Sequence, residues 1–436
     1  MKIIIVGTGY VGLVSGICLS KIGHEVICID SNLEKIDQLN KGQIPIYENG
    51  LSEILQEVKQ SNRIKFSNDL KSELLNSDVI FIAVGTPENK DGSADLSFVF
   101  NVAKEIAQFA TSYKLIINKS TVPAGTGYAI RKLIKEINPD LDFSVASNPE
   151  FLREGSAIED FMNPDRIVIG TEDKRAKDII SKTYQYFSND KIFHTNIITA
   201  ELIKYASNSF LATKISFINE MADLCEKVGG NIKDLSIAIG KDSRIGEKFL
   251  NPGPGFGGSC FPKDINAILN LAQNNNVNLS IIKSVIDSNQ TRIKSIITRI
   301  KKILDQKIAD KKIALLGLAF KANTDDIRYS PAIAIAKELS KNNAKIYAHD
   351  FVAIANSKKE LAEHGNIKFC DDIYEACQNA DLIIIATEWK QYKSINFAQI
   401  NNINKPLKIF DLRNLYDENK MLELGLNYYF IGQKDC

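Results

Sequence analysis

The sequence is poor in the residues that build metal sites and disulfide frameworks. Its 436 residues include only four histidines, which are common metal ligands. Its seven cysteines form no CxxC pair. No histidines and cysteines combine into a zinc-site pattern, so we expect neither a structural zinc site nor a set of disulfides. The cysteines are Cys18, Cys28, Cys225, Cys260, Cys370, Cys377 and Cys436.

The sequence also lacks a charge excess and a long apolar run. The formal net charge is +1, which argues against a general attraction to nucleic acid or anionic membrane but allows one small basic pocket for a phosphate-bearing ligand. No apolar run approaches the roughly 18–20 residues of a membrane span. The opening MKIIIVGTGY reaches Gly7 too soon to be a secretory signal. We therefore expect a soluble, cytoplasmic protein with reduced thiols.

What is present is an alternation of short apolar strands and helical stretches. Continuously apolar strands are typical of a parallel sheet covered on both faces. Early in the chain they are predicted at 3–7, 24–30, 78–86, 115–123 and 143–151, with a helix from about Val11 to Ile22. The pattern returns near the C-terminus, where 311–320 resembles 1–10, 344–350 resembles 24–30, and 380–387 resembles 77–84.

Between these two parts the pattern is helical. Helices are predicted at 200–228, 264–272 and about 278–304, the first of them capped by Thr199 and ended by Gly229 and Gly230. The chain is long enough for two or three domains. We predict three, at 1–195, 196–300 and 301–436.

A glycine motif at the start of the chain predicts a cofactor. Gly7, Gly9 and Gly12 form GxGxxG between the first strand and the first helix, and Asp30 ends the next strand. The glycines allow a tight turn, approach of backbone N–H groups to a pyrophosphate, and close helix packing. A carboxylate at Asp30 binds the ribose hydroxyls and repels a 2′-phosphate, which favours NAD over NADP; a tight turn without a ligand is the alternative. The fold class is thus α/β, with two Rossmann-like doubly wound domains joined by a central helical region that contains a long connecting helix.

The second sheet domain has no matching glycine motif. Its strand-to-helix turn reads GLAFK, with bulkier residues in place of two glycines, so we do not expect a dinucleotide there. Lys321 at this turn is either a surface lysine or a contact for a diphosphate, since such crevices are natural ligand sites.

Cys260 stands in the run FLNPGPGFGGSCFPKD. Pro262 suits the first position of the following helix, so Cys260 precedes a helix N-terminus and lies close to Lys263. Both features lower the pKa of a thiol and favour a nucleophile over a buried apolar cysteine. Together with NAD, a nucleophilic cysteine indicates oxidation through an aldehyde, a hemithioacetal and a thioester that is then hydrolysed.

Such a reaction also needs groups that stabilise an oxyanion and move a proton. Lys204 and Asn208 are four residues apart on the predicted 200–228 helix and so share one face, where they can stabilise an alkoxide and an oxyanion. A solvated helix face is the alternative. Asp264 lies one turn after Cys260 and is either a helix cap or a group that handles a proton near the sulfur.

Six blocks of sequence resemble the family of UDP-sugar and GDP-sugar 6-dehydrogenases over essentially the whole chain. In order they are GTGYVGL, STVPAGT, NPEFLREG, the Lys204/Asn208 helix, FLNPGPGFGGSCFPKD and NTDDIRYSP. The resemblance implies a four-electron oxidation of UDP-glucose to UDP-glucuronate with two NAD per sugar, in a homodimer. The loop before Cys260 resembles the UDP-glucose branch. The nearest alternative is the same chemistry on GDP-mannose or a UDP-N-acetylhexosamine.

The resemblance also implies roles for individual residues. The implied catalytic residues are the nucleophile Cys260, the oxyanion- and water-organising Lys204, Asn208 and Asp264, and Thr121, Glu150 and Glu154 near the reacting carbon, with Glu150 or Glu154 assisting hydrolysis. The implied cofactor contacts are Gly7, Gly9, Tyr10, Val11, Gly12, Asp30, Lys35, Thr86, Thr121, Glu154, Lys263 and Arg328. The implied substrate contacts are Glu150, Phe151, Leu152, Arg153, Glu154, Lys204, Asn208, Phe249, Leu250, Asn251, Pro252, Gly253, Gly257 and Lys321.

Two hypotheses come from other classes of protein. A two-electron 3-hydroxy-acid dehydrogenase can share the NAD domain and a helical lysine–asparagine pair, but it needs no thiol. A non-enzymatic NAD-binding protein would not explain why Cys260, Asp264, Lys204 and Asn208 occur at chemically useful spacings.

Overall fold

A computed structural model describes residues 1–400 and 406–434, so Cys436 lies outside the described residues. The chain divides into two compact units. The first consists of Met1–Ser207 and Asn266–Val277, and the second begins with Asn208–Ile265 and continues from Asn278.

The strands fall into two groups, one in each part of the chain where strands were predicted. They are β1 (Lys2–Val6), β2 (Glu25–Ile29), β3 (Ile64–Ser67), β4 (Val79–Ile82), β5 (Lys114–Asn118), β6 (Phe143–Ser147), β7 (Ile167–Gly170), β8 (Ile192–Thr195), β9 (Lys312–Leu316), β10 (Lys345–His349), β11 (Ile367–Phe369), β12 (Leu382–Ile385), β13 (Lys408–Asp411) and β14 (Asn427–Phe430).

The helices alternate with these strands and fill the middle of the chain. They are α1 (Tyr10–Lys21), α2 (Leu33–Asn40), α3 (Leu51–Gln60), α4 (Leu70–Glu73), α5 (Ser97–Phe109), α6 (Thr126–Ile137), α7 (Ala157–Met162), α8 (Lys174–Thr183), α9 (Ile197–Val228), α10 (Ile232–Gly240), α11 (Phe261–Asn274), α12 (Ser280–Ile303), α13 (Pro331–Lys341), α14 (Ile354–Glu360), α15 (Ile373–Cys377) and α16 (Glu418–Glu423).

The two sheets share a strand order. The first runs β3-β2-β1-β4-β5-β6-β7-β8, and the second runs β11-β10-β9-β12-β13-β14. All pairs are parallel except β6 with β7. Six strands of the first sheet and all six of the second follow the doubly wound order of dinucleotide-binding folds. The predicted fold class is therefore confirmed.

Burial on both faces explains why the strands are continuously apolar. In β1, Ile3 and Ile5 belong to one hydrophobic cluster and Ile4 and Val6 to another. Because successive side chains of a strand point to opposite faces, the sheet is covered on both sides. Each fully buried side chain of this size contributes about 1.5–3 kcal/mol.

Some predicted boundaries were wrong. The strands predicted to end at residues 86, 123 and 151 end at Ile82, Asn118 and Ser147, because polar loops begin at these carboxyl ends. Helix α9 is not capped by Thr199: the Thr199 N–H donates to the Asn196 side chain at 2.7 Å, which makes Asn196 the cap.

The other two helix signals had different outcomes. Helix α11 begins at Phe261, so Pro262 is its second residue rather than its first. The predicted end of α9 is confirmed at Val228, where Gly229 has a φ of +79° and its N–H donates to the Cys225 carbonyl.

Candidate active site

The glycine motif forms a tight turn with one open side. A Cβ at Gly12 would lie 1.9 Å from the Gly7 carbonyl oxygen, so only glycine lets α1 begin this close to the strand. At Gly9 a Cβ would meet no atom within 4 Å. The turn thus leaves space beside its backbone N–H groups at a helix N-terminus, which fits a bound pyrophosphate.

Asp30 lies at the end of β2 and binds this same turn. Its Oδ2 accepts hydrogen bonds from the Thr8 N–H at 2.9 Å and the Thr8 hydroxyl at 2.7 Å, and it lies 3.2 Å from Lys35 Nζ. Burial raises the pKa of Asp30, but the bonds from Thr8 and Asn32 outweigh it and leave the pKa below its usual value. Asp30 is therefore ionised at neutral pH, as an acceptor for ribose hydroxyls must be.

The second sheet uses the equivalent carboxylate differently. Asp350 follows β10, and its Oδ2 accepts from the N–H groups of Leu318 at 2.7 Å and Ala319 at 3.1 Å. The indole N–H of Trp389 also donates to it at 3.3 Å. Asp350 is buried, so this carboxylate stabilises its own turn.

In the first unit the structure brings together two of the predicted catalytic side chains. Lys204 on α9 donates to Glu150 Oε1 at 2.8 Å. The second oxygen of Glu150 accepts from the Leu152 N–H at 2.6 Å. Arg166 lies over the Phe151 ring, 4.0 Å from its centroid, and Lys204 lies 5.5 Å from that centroid. The aromatic ring and the carboxylate both stabilise the positive charge of Lys204.

The remaining predicted residues of the first unit lie on nearby loops. The Thr121 carbonyl accepts from the Thr86 hydroxyl at 2.9 Å, which joins two predicted cofactor contacts. Arg153 forms a bidentate ion pair with Asp160 and is largely exposed, which is typical of a surface salt bridge. Glu154 is half-buried on the same loop.

Lys119 was missed at the sequence level. It is buried directly after β5, and its Nζ donates to the Asn148 side chain at 3.2 Å. Burial lowers the pKa of Lys119 to about 8, opposed by the charge of Glu150 and reinforced by that of Lys204. A lysine that follows a strand looks like a surface residue in the sequence, so no local signal marked Lys119 as buried.

In the second unit three predicted residues form a chain of contacts. Asn208 Nδ2 donates to Asp264 Oδ2 at 2.6 Å, and Lys263 Nζ lies 2.7 Å from Asp264 Oδ1. The Asp264 N–H donates to the Cys260 carbonyl at 2.9 Å, so Cys260 directly precedes the first turn of α11. Cys260 is half-buried, and its sulfur lies 3.6 Å from the Ser259 hydroxyl. A thiol at a helix N-terminus beside an organised amide and ammonium suits nucleophilic chemistry.

The loop before Cys260 is fixed from several sides within this unit. The Gly253 N–H donates to Asn219 Oδ1 at 2.8 Å, and its carbonyl accepts from Arg292 at 3.1 Å. A Cβ at Gly257 would lie 2.3 Å from the Tyr329 carbonyl oxygen, so glycine is required there. Leu250 is buried and Phe249 has a φ of +65°. The remaining predicted residues of this loop are Asn251, which is exposed, and Pro252, which is buried.

A further arginine was not predicted from the sequence. Arg413 follows β13, and its guanidinium donates to the carbonyls of Ala386 at 2.8 Å and Phe320 at 2.9 Å. A Cβ at Gly253 would lie 3.4 Å from Arg413 Nη1. Lys321 follows Phe320 at the end of β9 and is half-buried. The carboxyl ends of β9 and β13 thus carry two cations, and strand order could have indicated Arg413.

Arg328 lies in the loop between β9 and α13. Its guanidinium pairs with Asp326, two residues earlier, at 2.8 Å and is 62% exposed. Its predicted cofactor role stays a prediction.

Within residues 1–400 and 406–434, no helix is long and apolar enough to cross a membrane. Across the same ranges, no group of three or more His, Cys, Asp and Glu side chains is arranged to hold a metal ion.

The parallel sheet, the glycine turn and the ionised Asp30 define a dinucleotide-dependent oxidoreductase. Comparison with known proteins gives the family. Residues 1–188 match the NAD-binding domain of the UDP-glucose/GDP-mannose dehydrogenase family, 198–291 its central domain, and 314–418 its UDP-binding domain.

Individual proteins agree with these matches. The chain is 49% identical over 434 residues to the UDP-glucose 6-dehydrogenase of Rickettsia conorii, covering 100% of both proteins. It resembles the structure of a UDP-glucose dehydrogenase from Pyrobaculum islandicum with a TM-score of 0.91 and 34% identity, over 100% of this chain and 98% of the other. It resembles the UDP-D-ManNAc dehydrogenase of Pyrococcus horikoshii with a TM-score of 0.86 and 28% identity, over 100% of both.

The chain belongs to the UDP-glucose/GDP-mannose dehydrogenase family and is an NAD-dependent oxidoreductase. The predicted family and the predicted cofactor are confirmed.

Proposed function

We propose that the chain oxidises UDP-glucose to UDP-glucuronate, using Cys260 as the nucleophile. The observation that carries the proposal is the contact chain Asn208–Asp264–Lys263 at the N-terminus of α11, directly after Cys260. A structural thiol needs no such surroundings, whereas a nucleophile needs a nearby positive field and an oxyanion donor.

Two NAD molecules, bound one after the other, would each accept one hydride of the four-electron oxidation. The chain's own residues perform the other steps. In the first oxidation the sugar C6 hydroxyl gives its proton to a bound water, and the Lys204 ammonium, which pairs with Glu150, stabilises the alkoxide so formed. Loss of hydride from C6 then gives the aldehyde. Thr121 and Glu154 orient the reacting carbon, as the family resemblance implies.

In the second oxidation the Cys260 thiolate attacks the aldehyde carbon and forms a C–S bond. The oxygen that gains the electron pair is stabilised by Asn208, which has a second amide hydrogen besides the one donated to Asp264. Loss of hydride from this hemithioacetal gives a thioester. Water then attacks the thioester carbon, a carboxylate such as Glu150 or Glu154 takes its proton, and the Cys260 thiolate leaves.

UDP-glucose is favoured over other sugar nucleotides. The relative named for UDP-glucose is 49% identical, whereas the structure named for UDP-D-ManNAc is 28% identical. Lys321 and Arg413, in the loops after β9 and β13 of the second unit, would hold the diphosphate. Phe249 to Gly253 and Gly257 complete the proposed substrate cradle of that unit.

We also propose that the chain is a cytoplasmic homodimer with three domains. Phe210, Phe217 and Leu224 are exposed on α9 at intervals of seven residues, and therefore share one face of the helix. An exposed apolar stripe on a long helix fits a second copy of the chain.

The three family matches support the three-domain division.

A substrate panel tests the proposed function. Initial rates of NADH formation are measured with UDP-glucose, GDP-mannose and UDP-N-acetylglucosamine at equal concentrations. We expect kcat/KM for UDP-glucose to exceed the others by at least about 100-fold, because a site with hydrogen bonds to its substrate discriminates strongly. A higher kcat/KM for another sugar nucleotide would contradict UDP-glucose as the substrate, but it would be compatible with the proposed oxidation.

A further inference from the structure

Glu48 is a buried carboxylate in the loop between α2 and α3. It is 8% exposed. Its Oε2 accepts from the Gly155 N–H at 2.7 Å, and its Oε1 accepts from the Ala157 N–H at 2.8 Å. The Tyr10 hydroxyl also donates to Oε2.

The donors belong to two elements that are far apart in sequence. Tyr10 is the first residue of α1, the helix that opens with the glycine motif. Gly155 follows Glu154 directly, and Ala157 is the first residue of α7. The Gly155 nitrogen also lies 2.7 Å from the Tyr10 oxygen. The Tyr10 hydroxyl, the Gly155 N–H and the Glu48 carboxylate are therefore in mutual contact.

This arrangement exceeds what capping a short helix requires. Helix α7 has six residues, and its N-cap Ser156 makes no side-chain capping bond. Glu48 therefore replaces a local cap with one from 107 residues away. Capping alone does not require the bond to Tyr10, and burying a carboxylate is costly unless its oxygens are hydrogen-bonded.

We propose that Glu48 is a positioning residue for the reaction, an inference that rests on the proposed function. Its carboxylate fixes the segment from Glu150 to Gly155 against the cofactor helix. Glu154, next to Gly155, is thereby held at a constant distance from the helix that binds the dinucleotide. All the contacts in this argument lie within the first unit.

The test compares Glu48→Gln with wild type in the full-length protein. Glutamine has the same shape but one acceptor oxygen, and its amide hydrogens would face the N–H of Gly155 or Ala157. We expect kcat to fall at least tenfold, because small misplacements of reacting groups are costly. The Kd for NAD should rise by a smaller factor than kcat falls, because Tyr10 and Glu154 lose support but the glycine turn and Asp30 are untouched.

Asp173→Ala is the matched control, because alanine removes the cap. Asp173 caps α8 through the N–H groups of Arg175 and Ala176, in the same unit, and no predicted site residue contacts it. It should lower Tm like Glu48→Gln while kcat stays within twofold of wild type. An equal loss of kcat in both variants would mean general destabilisation and would overturn the positioning role.

Two further outcomes are decisive. If Glu48→Gln keeps a kcat within twofold of wild type, the proposal is wrong. If that variant does not fold, Glu48→Asp replaces it. The shorter side chain cannot span both elements, so kcat should fall at least threefold while the Kd for NAD rises by a smaller factor. A wild-type kcat in Glu48→Asp would overturn the proposal. The assay uses whichever sugar nucleotide the wild type oxidises fastest, so failure with UDP-glucose contradicts the proposed substrate alone.

Discussion

The Lys204 ammonium lies 2.8 Å from the Glu150 carboxylate, and each side chain is only 5% exposed. Removing one member of a buried pair leaves an uncompensated charge, which typically costs about 3–5 kcal/mol. This pair joins α9 to the loop after β6, so both the fold and the proposed chemistry depend on it.

Glu150→Gln should therefore destabilise the protein by about 3 kcal/mol or more, because Lys204 loses its carboxylate. Lys204→Met should also destabilise it, and the double variant should recover part of the loss. Unfolding monitored in all four proteins gives the coupling energy. Additive losses would mean that the two side chains do not interact.

Cys260→Ser should nearly abolish turnover while NAD still binds. A serine hydroxyl is a weaker nucleophile than a thiolate, so the second oxidation lacks its covalent intermediate. Steady-state rates and NAD titration check this result. The control is Cys225→Ala, a buried cysteine with no proposed role, which should keep its turnover. Ordinary turnover in Cys260→Ser would end the thioester hypothesis.

Asp30→Asn should weaken NAD binding about tenfold, since the amide offers one acceptor oxygen instead of two for Thr8 and the ribose. Asp350→Asn is the control, because Asp350 holds the equivalent turn of the second sheet. It should lower stability and leave NAD affinity unchanged. Fluorescence titration with NADH measures the affinity of each variant. Equal affinities for Asp30→Asn and wild type would show that Asp30 does not face the ribose.

Lys119→Met should change how stability depends on pH. Burial lowers the pKa of Lys119 from 10.5 to about 8 in the folded protein, so between these values the unfolded chain binds more protons and wild-type stability rises with pH. Below pH 8 the buried charge costs about 3 kcal/mol, which methionine removes. Asn148 keeps a donor in the variant, because the Tyr184 hydroxyl also bonds to it at 2.6 Å.

Tm measured at pH 7 and pH 9.5 tests this prediction. The variant should gain most over wild type at pH 7, and the gap should narrow at pH 9.5. The effects of the neighbouring charges of Glu150 and Lys204 on Lys119 are already contained in its lowered pKa. A gap that does not change with pH would mean that Lys119 keeps its ordinary pKa.

Local sequence patterns predicted much of the fold. The apolar runs of β1 and β9 and their repeat near the C-terminus gave the two sheets, because strands buried on both faces are continuously apolar. Strand ends were predicted less well, since the apolar pattern continues past Ile82 into the Ala83–Val84 loop. The cap of α9 was misplaced because Asn196 and Thr199 are both good capping residues.

The site was predicted in part, for a clear physical reason. Cys260 and the glycine motif carry local signals, so their environment could be inferred from neighbouring residues. The bonds from Lys204 to Glu150 and from Glu48 to Gly155 span 54 and 107 residues. Buried charges such as Lys119 and Glu48 resemble surface residues until the fold is known. The substrate follows from family resemblance and not from spacing.

The most direct measurement of the central claim is the yield of NADH per sugar at completion, with limiting UDP-glucose and excess NAD. We expect two NADH per UDP-glucose, because Cys260 carries the aldehyde through a thioester to the carboxylate. One NADH per sugar would mean that oxidation stops at the aldehyde, and it would contradict the role proposed for Cys260.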